Sequence, residues 1–150
     1  MRILIDTNIL LRIADPAHTV HPVAVNATAT LRKMSHELFI VPQTLYEFWA
    51  VSTRTIQANG LGVTTLEAEE LISGFCQLFR LLRDERSIFE RWRVLVAAHN
   101  VRGVNSYDVR LAAAMQRHGI SHLLTLNSSD FRRYDHITVV DPHGVAIAKE

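Results

Sequence analysis

The segment that decides the fold is MRILIDTNILL, residues 1–11, which sets one carboxylate between two apolar runs. Ile3–Ile5 is short, apolar and rich in β-branched residues, as is typical of a buried strand. Ile9–Ile13 is the second apolar run, within a short helix predicted over Asn8–Ala14. Asp6 stands between the two runs, where a carboxylate requires hydrogen-bond donors or a cation. The segment therefore predicts a strand that is followed at once by a functional acid and a helix.

Strand and helix patterns alternate along the rest of the chain. Further strands are predicted at Leu38–Val41, Leu78–Leu82, His122–Leu126 and Ile137–Val140. Further helices are predicted at Pro22–Met34, Thr44–Ala58, Thr65–Cys76, Ser87–Asn100 and Tyr107–His118. Thr65 is the expected cap of the helix that ends near Cys76. This alternation predicts the α/β class, a three-layer sandwich with a mainly parallel central sheet. The 150 residues contain no repeat or linker, so residues 1–150 are predicted to form a single domain.

Composition indicates a cytoplasmic protein. Cys76 is the only cysteine, so a disulfide framework is excluded and a reducing compartment is expected. No apolar run approaches the roughly 20 residues that a membrane span needs, and the early Asp6 does not suit a signal peptide. Sixteen Lys and Arg against fifteen Asp and Glu give a net charge of +1, which neither demands nor excludes a nucleic-acid partner.

Four acids fall where the predicted strands end or the following helices begin: Asp6, Glu47, Asp108 and Asp130. These positions share one edge of an open α/β sheet, the edge at which ligands usually bind. The four acids are therefore expected to converge. Structural alternatives stay open for three of them, because Asp108 would also suit a helix dipole, Asp130 a turn, and Glu47 a solvated helix face.

Converging carboxylates predict a hard divalent cation. Two carboxylates about 5 Å apart repel each other by roughly 3 kcal/mol at an effective dielectric near 20. Mg²⁺ or Mn²⁺ removes this repulsion and can activate water for attack on a phosphoryl group. The eight histidines and single cysteine show no zinc spacing, and there is no phosphate-binding glycine loop. The pattern therefore favours phosphodiester chemistry.

Four stretches carry a resemblance to a known family. They are LIDTNILL (4–11), YEFWAV (46–51), NSYDVRLAAAMQRHG (105–119) and LLTLNSSDFRRY (123–134). Together they resemble a PIN-domain ribonuclease, in particular the VapC-type toxins of VapBC toxin–antitoxin pairs. The resemblance runs from Ile3 to the final strand pattern ITVVDP.

The resemblance implies an endoribonuclease that depends on Mg²⁺ or Mn²⁺, with a small antitoxin as partner and a homodimer as the assembly. It implies that Asp6, Glu47, Asp108 and Asp130 are catalytic and that all but Glu47 are metal ligands. Many relatives carry a further acid where this chain has Asn127. Asn127 brings no charge, so one and two metal ions both stay open.

Neighbouring residues support these acids in the predicted site. Thr7 and Asn8 are expected to hydrogen-bond Asp6 or a metal-bound water, with turn formation and capping as their alternative. Thr125 resembles a family position beside the metal, although a buried strand residue is the competing interpretation. Arg132 and Arg133 follow Asp130 and are predicted to bind RNA phosphates.

Large apolar side chains in two predicted helices indicate a surface for the antitoxin. They are Leu45, Phe48, Trp49, Leu71 and Phe75.

The residues also bear on other candidate functions. A receiver-like domain requires a late lysine, and the only one is Lys149 in the tail. A PIN fold without metal is disfavoured because all four acids are present, whereas an RNA-binding or RNA-processing PIN protein outside a toxin–antitoxin pair stays open.

Overall fold

The computed structural model describes residues 1–147, and in this part of the chain five strands form one parallel sheet. The strands are β1 (Arg2–Ile5), β2 (Glu37–Ile40), β3 (Arg80–Leu81), β4 (His122–Leu124) and β5 (Thr138–Val140). Their order across the sheet is β3-β2-β1-β4-β5, and each neighbouring pair is parallel. The predicted α/β class with its parallel central sheet is confirmed.

Helices connect the strands. They are α1 (Thr7–Ile13), α2 (His21–Lys33), α3 (Pro42–Thr53), α4 (Thr65–Leu78), α5 (Arg86–Ala98), α6 (Asn105–His118), α7 (Ser128–Phe131) and α8 (Pro142–Ile147), with a 3₁₀ turn at Ile56–Ala58. Within residues 1–147, none of the helices has the length and apolar character that crossing a membrane requires.

The strands bury side chains on both faces of the sheet, because successive residues of a strand point to opposite sides. Leu4, Phe39 and Leu123 pack into a core beneath α5 and α6. Ile3 and Ile5 pack into a second core beneath α1, α2, α3 and α4. The sheet is therefore the middle of three layers, as predicted.

The strand order reverses at the centre of the sheet. From β1 the chain adds β2 on one side, and it later returns to add β4 on the other. The carboxyl ends of β1 and β4 meet there, where the backbone N–H of Asp6 donates to the carbonyl of Leu124 at 3.0 Å. Open α/β sheets bind ligands in the crevice at such a reversal. The fold thus sets Asp6 at the edge where a site is expected.

The structure corrects the predicted bounds of the helix that carries Glu47. That helix begins at Pro42 rather than Thr44, because proline suits the first helical position, where no N–H partner is needed. It ends at Thr53 rather than Ala58. The chain then turns so tightly that a Cβ at Gly60 would collide with the carbonyl of Arg54.

Other differences lie away from the centre, among them the strand predicted at Leu78–Leu82, of which only Arg80–Leu81 forms β3 while Leu78 ends α4. The cap of α4 is Thr64 rather than Thr65, since the Thr64 hydroxyl accepts from the N–H of Glu67 at 3.1 Å. The patterns do not predict α7 or α8, which have four and six residues and are too short for a helical period to be read. Lys149 lies outside the described residues, and the single domain over 1–150 stays a prediction.

Candidate active site

Asp6 is a buried carboxylate with only 8% of its surface exposed. It caps α1, and its Oδ1 accepts a hydrogen bond from the backbone N–H of Thr7 at 2.7 Å. Its Oδ2 accepts from the Thr125 hydroxyl at 2.7 Å and from the Asn8 side-chain amide at 3.3 Å. These donors meet part of the cost of burying the charge. They also hold the carboxylate in one orientation.

Asn8 and Thr125 join the ends of β1 and β4. The Asn8 amide donates to the Thr125 hydroxyl at 3.2 Å, and its carbonyl accepts from the N–H of Leu126 at 3.2 Å. The Thr125 hydroxyl also accepts from the N–H of Asn127 at 3.0 Å. The side chain of Asn127 is exposed and makes no capping bond at the start of α7. This network fixes the surroundings of Asp6.

Glu47 lies on α3, half-buried, and both of its carboxylate oxygens accept hydrogen bonds. The Thr7 hydroxyl donates to Oε2 at 2.6 Å, and the Gln43 amide donates to Oε1 at 2.9 Å. Thr7 therefore contacts Asp6 through its backbone and Glu47 through its side chain. The expected hydrogen bond from Thr7 to Asp6 is present through the backbone N–H, and the Thr7 hydroxyl bonds Glu47, a contact that the sequence did not predict.

Asp108 and Asp130 share a small polar pocket of about 60 Å³. Its lining consists of Asn105, Asp108, Ser129, Asp130, Arg133 and Tyr134. A pocket of this size has room for a few water molecules. The two arginines predicted to bind RNA are both exposed, but Arg133 lines the pocket whereas Arg132 lies outside its lining.

Burial raises the pKa of Asp6 to about 6. Hydrogen bonds from Thr125 and Thr7 oppose that rise, and the negative charges of Glu47 and Asp108 add to it. The carboxylate is thus costly to ionise in spite of its three donors. A nearby cation would remove most of that cost.

Asp108 is the acid that links the others electrostatically. Burial is the largest cause of the raised pKa of Asp108. The charges of Asp130 and Glu47 raise this pKa further, while the Arg133 guanidinium lowers it. Asp108 in turn raises the pKa of Asp6. The structure therefore brings the four predicted acids into one electrostatic environment, although they come from four separate segments.

Two residues at the site escaped the sequence analysis. Tyr134 is buried beside Arg133, and its phenol has a raised pKa, chiefly from burial, with Arg133 lowering it and Asp108 raising it. Nothing in its local sequence marks it. Gln43 was detectable, since it precedes Glu47 by four residues and so lies on the same face of α3.

The chemistry of these residues fits a hard cation, but the ligands are not assembled as a complete shell. In the described part of the chain, none of the ion pairs involves Asp6, Glu47, Asp108 or Asp130. Within the same residues, no three His, Cys, Asp or Glu side chains are gathered closely enough to hold one ion. Mg²⁺ needs less than this, because it commonly binds one or two carboxylates and keeps several waters. The donor set is thus compatible with Mg²⁺ or Mn²⁺.

Comparison with known proteins gives one family and several similar folds. The model of the PIN domain family matches residues 3–137. No curated protein matches the sequence. A chain of VapBC2 from Rickettsia felis, bound to a DNA fragment from its promoter, is similar with a TM-score of 0.69 at 15% identity, covering 93% of this chain and 98% of that one.

Two further solved structures share the fold. A chain of a toxin–antitoxin complex from Klebsiella pneumoniae has a TM-score of 0.64 at 21% identity, covering 93% of this chain and 97% of that one. VapC20 from Mycobacterium tuberculosis, a toxin that cleaves the sarcin-ricin loop, has a TM-score of 0.61 at 16% identity, covering 81% of this chain and 86% of that one. The family match covers β1 from Ile3 onward, β2, β3, β4 and the segments of all four acids. This chain belongs to the PIN domain family.

Proposed function

We propose that this protein is an endoribonuclease dependent on Mg²⁺ or Mn²⁺, and the toxin of a type II toxin–antitoxin pair. The observation that carries the proposal is the electrostatic coupling of Asp6, Glu47, Asp108 and Asp130 at the reversal point of a PIN-domain sheet. Glu47 and Asp108 add to the cost of ionising Asp6, and Asp130 and Glu47 add to the cost of ionising Asp108. Such repulsion destabilises a fold unless a cation uses the acids.

Three acids would hold the metal in this proposal, Asp6, Asp108 and Asp130, with one or two of them bound directly and the rest through metal-bound waters. When bound, the ion would supply a charge that stabilises the phosphoryl oxygens and lowers the pKa of water. Asp6 is oriented for this by Thr7, Asn8 and Thr125.

Glu47 would orient the attacking water. Its oxygens are fixed by Thr7 and Gln43, and each carboxylate oxygen has a second acceptor position for a hydrogen bond from water. Arg133, at the rim of the pocket that contains Asp108 and Asp130, would contact the RNA phosphate.

The antitoxin partner is supported by similar folds that occur in toxin–antitoxin complexes from other bacteria. The surface proposed here for the antitoxin includes only some of the side chains that the sequence indicated. Leu45, Phe48 and Phe75 are buried in the core, whereas Leu71 is half-buried. Leu71 and Phe75 line an open groove of about 470 Å³ between α1 and α4. We assign this groove to the antitoxin, and Glu67 and Glu70 in its lining suit a basic segment. The homodimer and the cytoplasmic location also belong to the proposal.

Metal removal tests the proposed activity. The purified protein should cleave single-stranded or hairpin RNA in millimolar Mg²⁺ or Mn²⁺, stop when EDTA is in excess, and recover when the metal is restored. Cleavage products are resolved on a denaturing gel, and a DNA strand of the same sequence is the control. Cleavage that persists in EDTA, or no cleavage with either metal, would refute the proposal.

The two neighbouring arginines provide a matched comparison. We expect Arg133→Ala to lower kcat/KM for RNA about tenfold and to weaken its dependence on salt, as loss of one phosphate contact should. We expect Arg132→Ala to change kcat/KM by less than about twofold, because Arg132 lies outside the pocket lining. The measurement is kcat/KM across a series of salt concentrations. Equal effects of the two substitutions would remove Arg133 from the site.

A further inference from the structure

Gln43 is a buried polar side chain that joins two helices of the site, α3 and α6. It is 7% exposed and lies at the start of α3, one helical turn before Glu47. Its amide nitrogen donates to Glu47 Oε1 at 2.9 Å and to the carbonyl of Tyr107 at 2.9 Å. Its amide oxygen accepts from the Arg110 guanidinium at 3.2 Å. Tyr107 directly precedes Asp108, so Gln43 ties the helix of Glu47 to the helix of Asp108.

The orientation of this amide is determined by its partners. Arg110 can only donate, so the amide oxygen of Gln43 must face it. The two N–H groups of Gln43 then face the two acceptors, the Glu47 carboxylate and the Tyr107 carbonyl. Arg110 is held in turn by Asp84, with 3.1 Å between its Nη2 and the Asp84 Oδ1. The chain of contacts from Asp84 to Glu47 therefore has one hydrogen-bonding pattern.

The Gln43 amide, which lies between Arg110 and Glu47, fixes the position of the Glu47 carboxylate without neutralising its charge. A direct Arg110–Glu47 pair would fix the carboxylate but neutralise it, and it would compete with a metal for the same site. Gln43 is uncharged, so it transmits the fixed position of Arg110 while Glu47 keeps its negative charge.

We infer that Gln43 is a positioning residue for Glu47 and that Arg110 orients it. The inference rests on the proposed nuclease function. Within it, Gln43 touches neither substrate nor metal and acts by holding the Glu47 carboxylate at a fixed place relative to Asp108.

The test uses Gln43→Met, which keeps an unbranched side chain of similar length and removes both donated hydrogen bonds. We expect kcat for RNA cleavage at saturating Mn²⁺ to fall ten- to a hundredfold, the range typical when a residue behind the reacting groups is lost. KM for RNA should change less than about twofold, because no substrate contact is removed. The Mn²⁺ dissociation constant, from calorimetry without RNA, should rise several-fold, because the substitution also releases the carbonyl of Tyr107, which directly precedes the proposed metal ligand Asp108.

Arg110→Met is the second variant, and it also covers the case in which Gln43→Met fails to fold. It should lower kcat in the same direction by a smaller factor, and the double variant should be no slower than Gln43→Met alone, since both residues act through one amide.

Arg117→Met is the matched control. Arg117 lies on the same helix, pairs with Glu85 beside Asp84, and has a side-chain exposure of 39% against 36% for Arg110. If Arg110 served only to hold that loop against α6, the two substitutions would act alike. We expect Arg117→Met to leave kcat and the Mn²⁺ dissociation constant within about twofold of the unmodified protein.

The outcomes separate the two proposals. An unmodified protein without metal-dependent cleavage overturns the nuclease function, and the inference that rests on it. A protein that cleaves RNA, with kcat of Gln43→Met and Arg110→Met both within twofold of normal, overturns the positioning inference alone. Equal losses in Arg110→Met and Arg117→Met also overturn it.

Discussion

Replacing Asp108 by asparagine should abolish RNA cleavage and at the same time stabilise the metal-free protein. The substitution keeps the shape of the side chain and removes the charge that couples to Glu47 and Asp130. Loss of a charged metal ligand should reduce kcat/KM by about a thousandfold or more, ~4 kcal/mol of transition-state stabilisation. The measurement is kcat/KM for one RNA at saturating Mg²⁺.

The stability of the same variant should change in the opposite direction. In EDTA, Asp108→Asn relieves repulsion among the acids and should raise the free energy of unfolding by about 1 kcal/mol, given its partial exposure. Millimolar Mg²⁺ should narrow or reverse the difference, because only the unmodified protein gains the full binding free energy. Paired thermal melts in EDTA and in Mg²⁺ measure both effects.

A suitable control is Asp135→Asn, since Asp135 is an exposed aspartate. Asp84 would be a poor control, because it pairs with Arg110. We expect Asp135→Asn to have the same melting temperature as the unmodified protein, both in EDTA and in Mg²⁺. A destabilised Asp108→Asn protein in EDTA would instead mean that Asp108 serves the N-terminus of α6, and the coupled-acid explanation would lose its support.

Local sequence was sufficient for the parts of this molecule that depend on local pattern. The apolar run before Asp6 predicts β1, and the apolar run after it predicts α1, so the position of the carboxylate at a strand end followed directly. The alternation of strands and helices predicted a parallel sheet, and the shared edge of such a sheet predicted that the acids converge.

Long-range contacts were beyond the same reasoning. The Thr125 hydroxyl that holds Asp6 is 119 residues away, and the Arg110 that orients Gln43 is 67 residues away. No spacing rule connects such pairs, because only the folded sheet and its helices bring them together. The four acids also lie farther apart than the sequence predicted. Within residues 1–147, no three of them are close enough to form a ready-made metal shell.

The short elements show a different limit. The predicted strand Leu78–Leu82 contains β3, but only Arg80 and Leu81 form it, so the pattern predicted the strand and not its bounds. α7 has four residues, too few for a helical period to be recognised. Asp130 lies in α7, and its separation from Asp108 is set by that turn and by the lining of the pocket between them. The acid itself was identifiable from sequence, whereas its surroundings, including Tyr134, were not.

The stability of the metal-free protein should fall as pH rises from about 4 to about 7, with Asp6 as the cause. Burial raises the pKa of Asp6 from its usual 3.8 to about 6 in the folded protein. Between these values the folded protein keeps a proton that the unfolded chain releases, so each rise in pH favours unfolding. Above the folded pKa the full penalty is present, and the shift corresponds to about 3 kcal/mol. Urea unfolding in EDTA at a series of pH values measures it.

Asp6→Asn isolates this contribution, since asparagine has no proton to lose. Near pH 4 the variant should be less stable than the unmodified protein by about 1 kcal/mol, because the amide nitrogen that replaces one carboxyl oxygen cannot accept. With the amide oxygen facing the N–H of Thr7, the Thr125 hydroxyl loses its acceptor. Near pH 7.5 the order should reverse, with the variant more stable by about 2 kcal/mol after the ionisation penalty is removed. Saturating Mg²⁺ should restore the free energy of unfolding of the unmodified protein at the higher pH, since a bound cation favours the ionised carboxylate that the fold disfavours. A stability difference between the two proteins that stays constant from pH 4 to pH 7.5 would show that Asp6 ionises in the fold as freely as in the unfolded chain, and the need for a cation at this edge of the sheet would disappear.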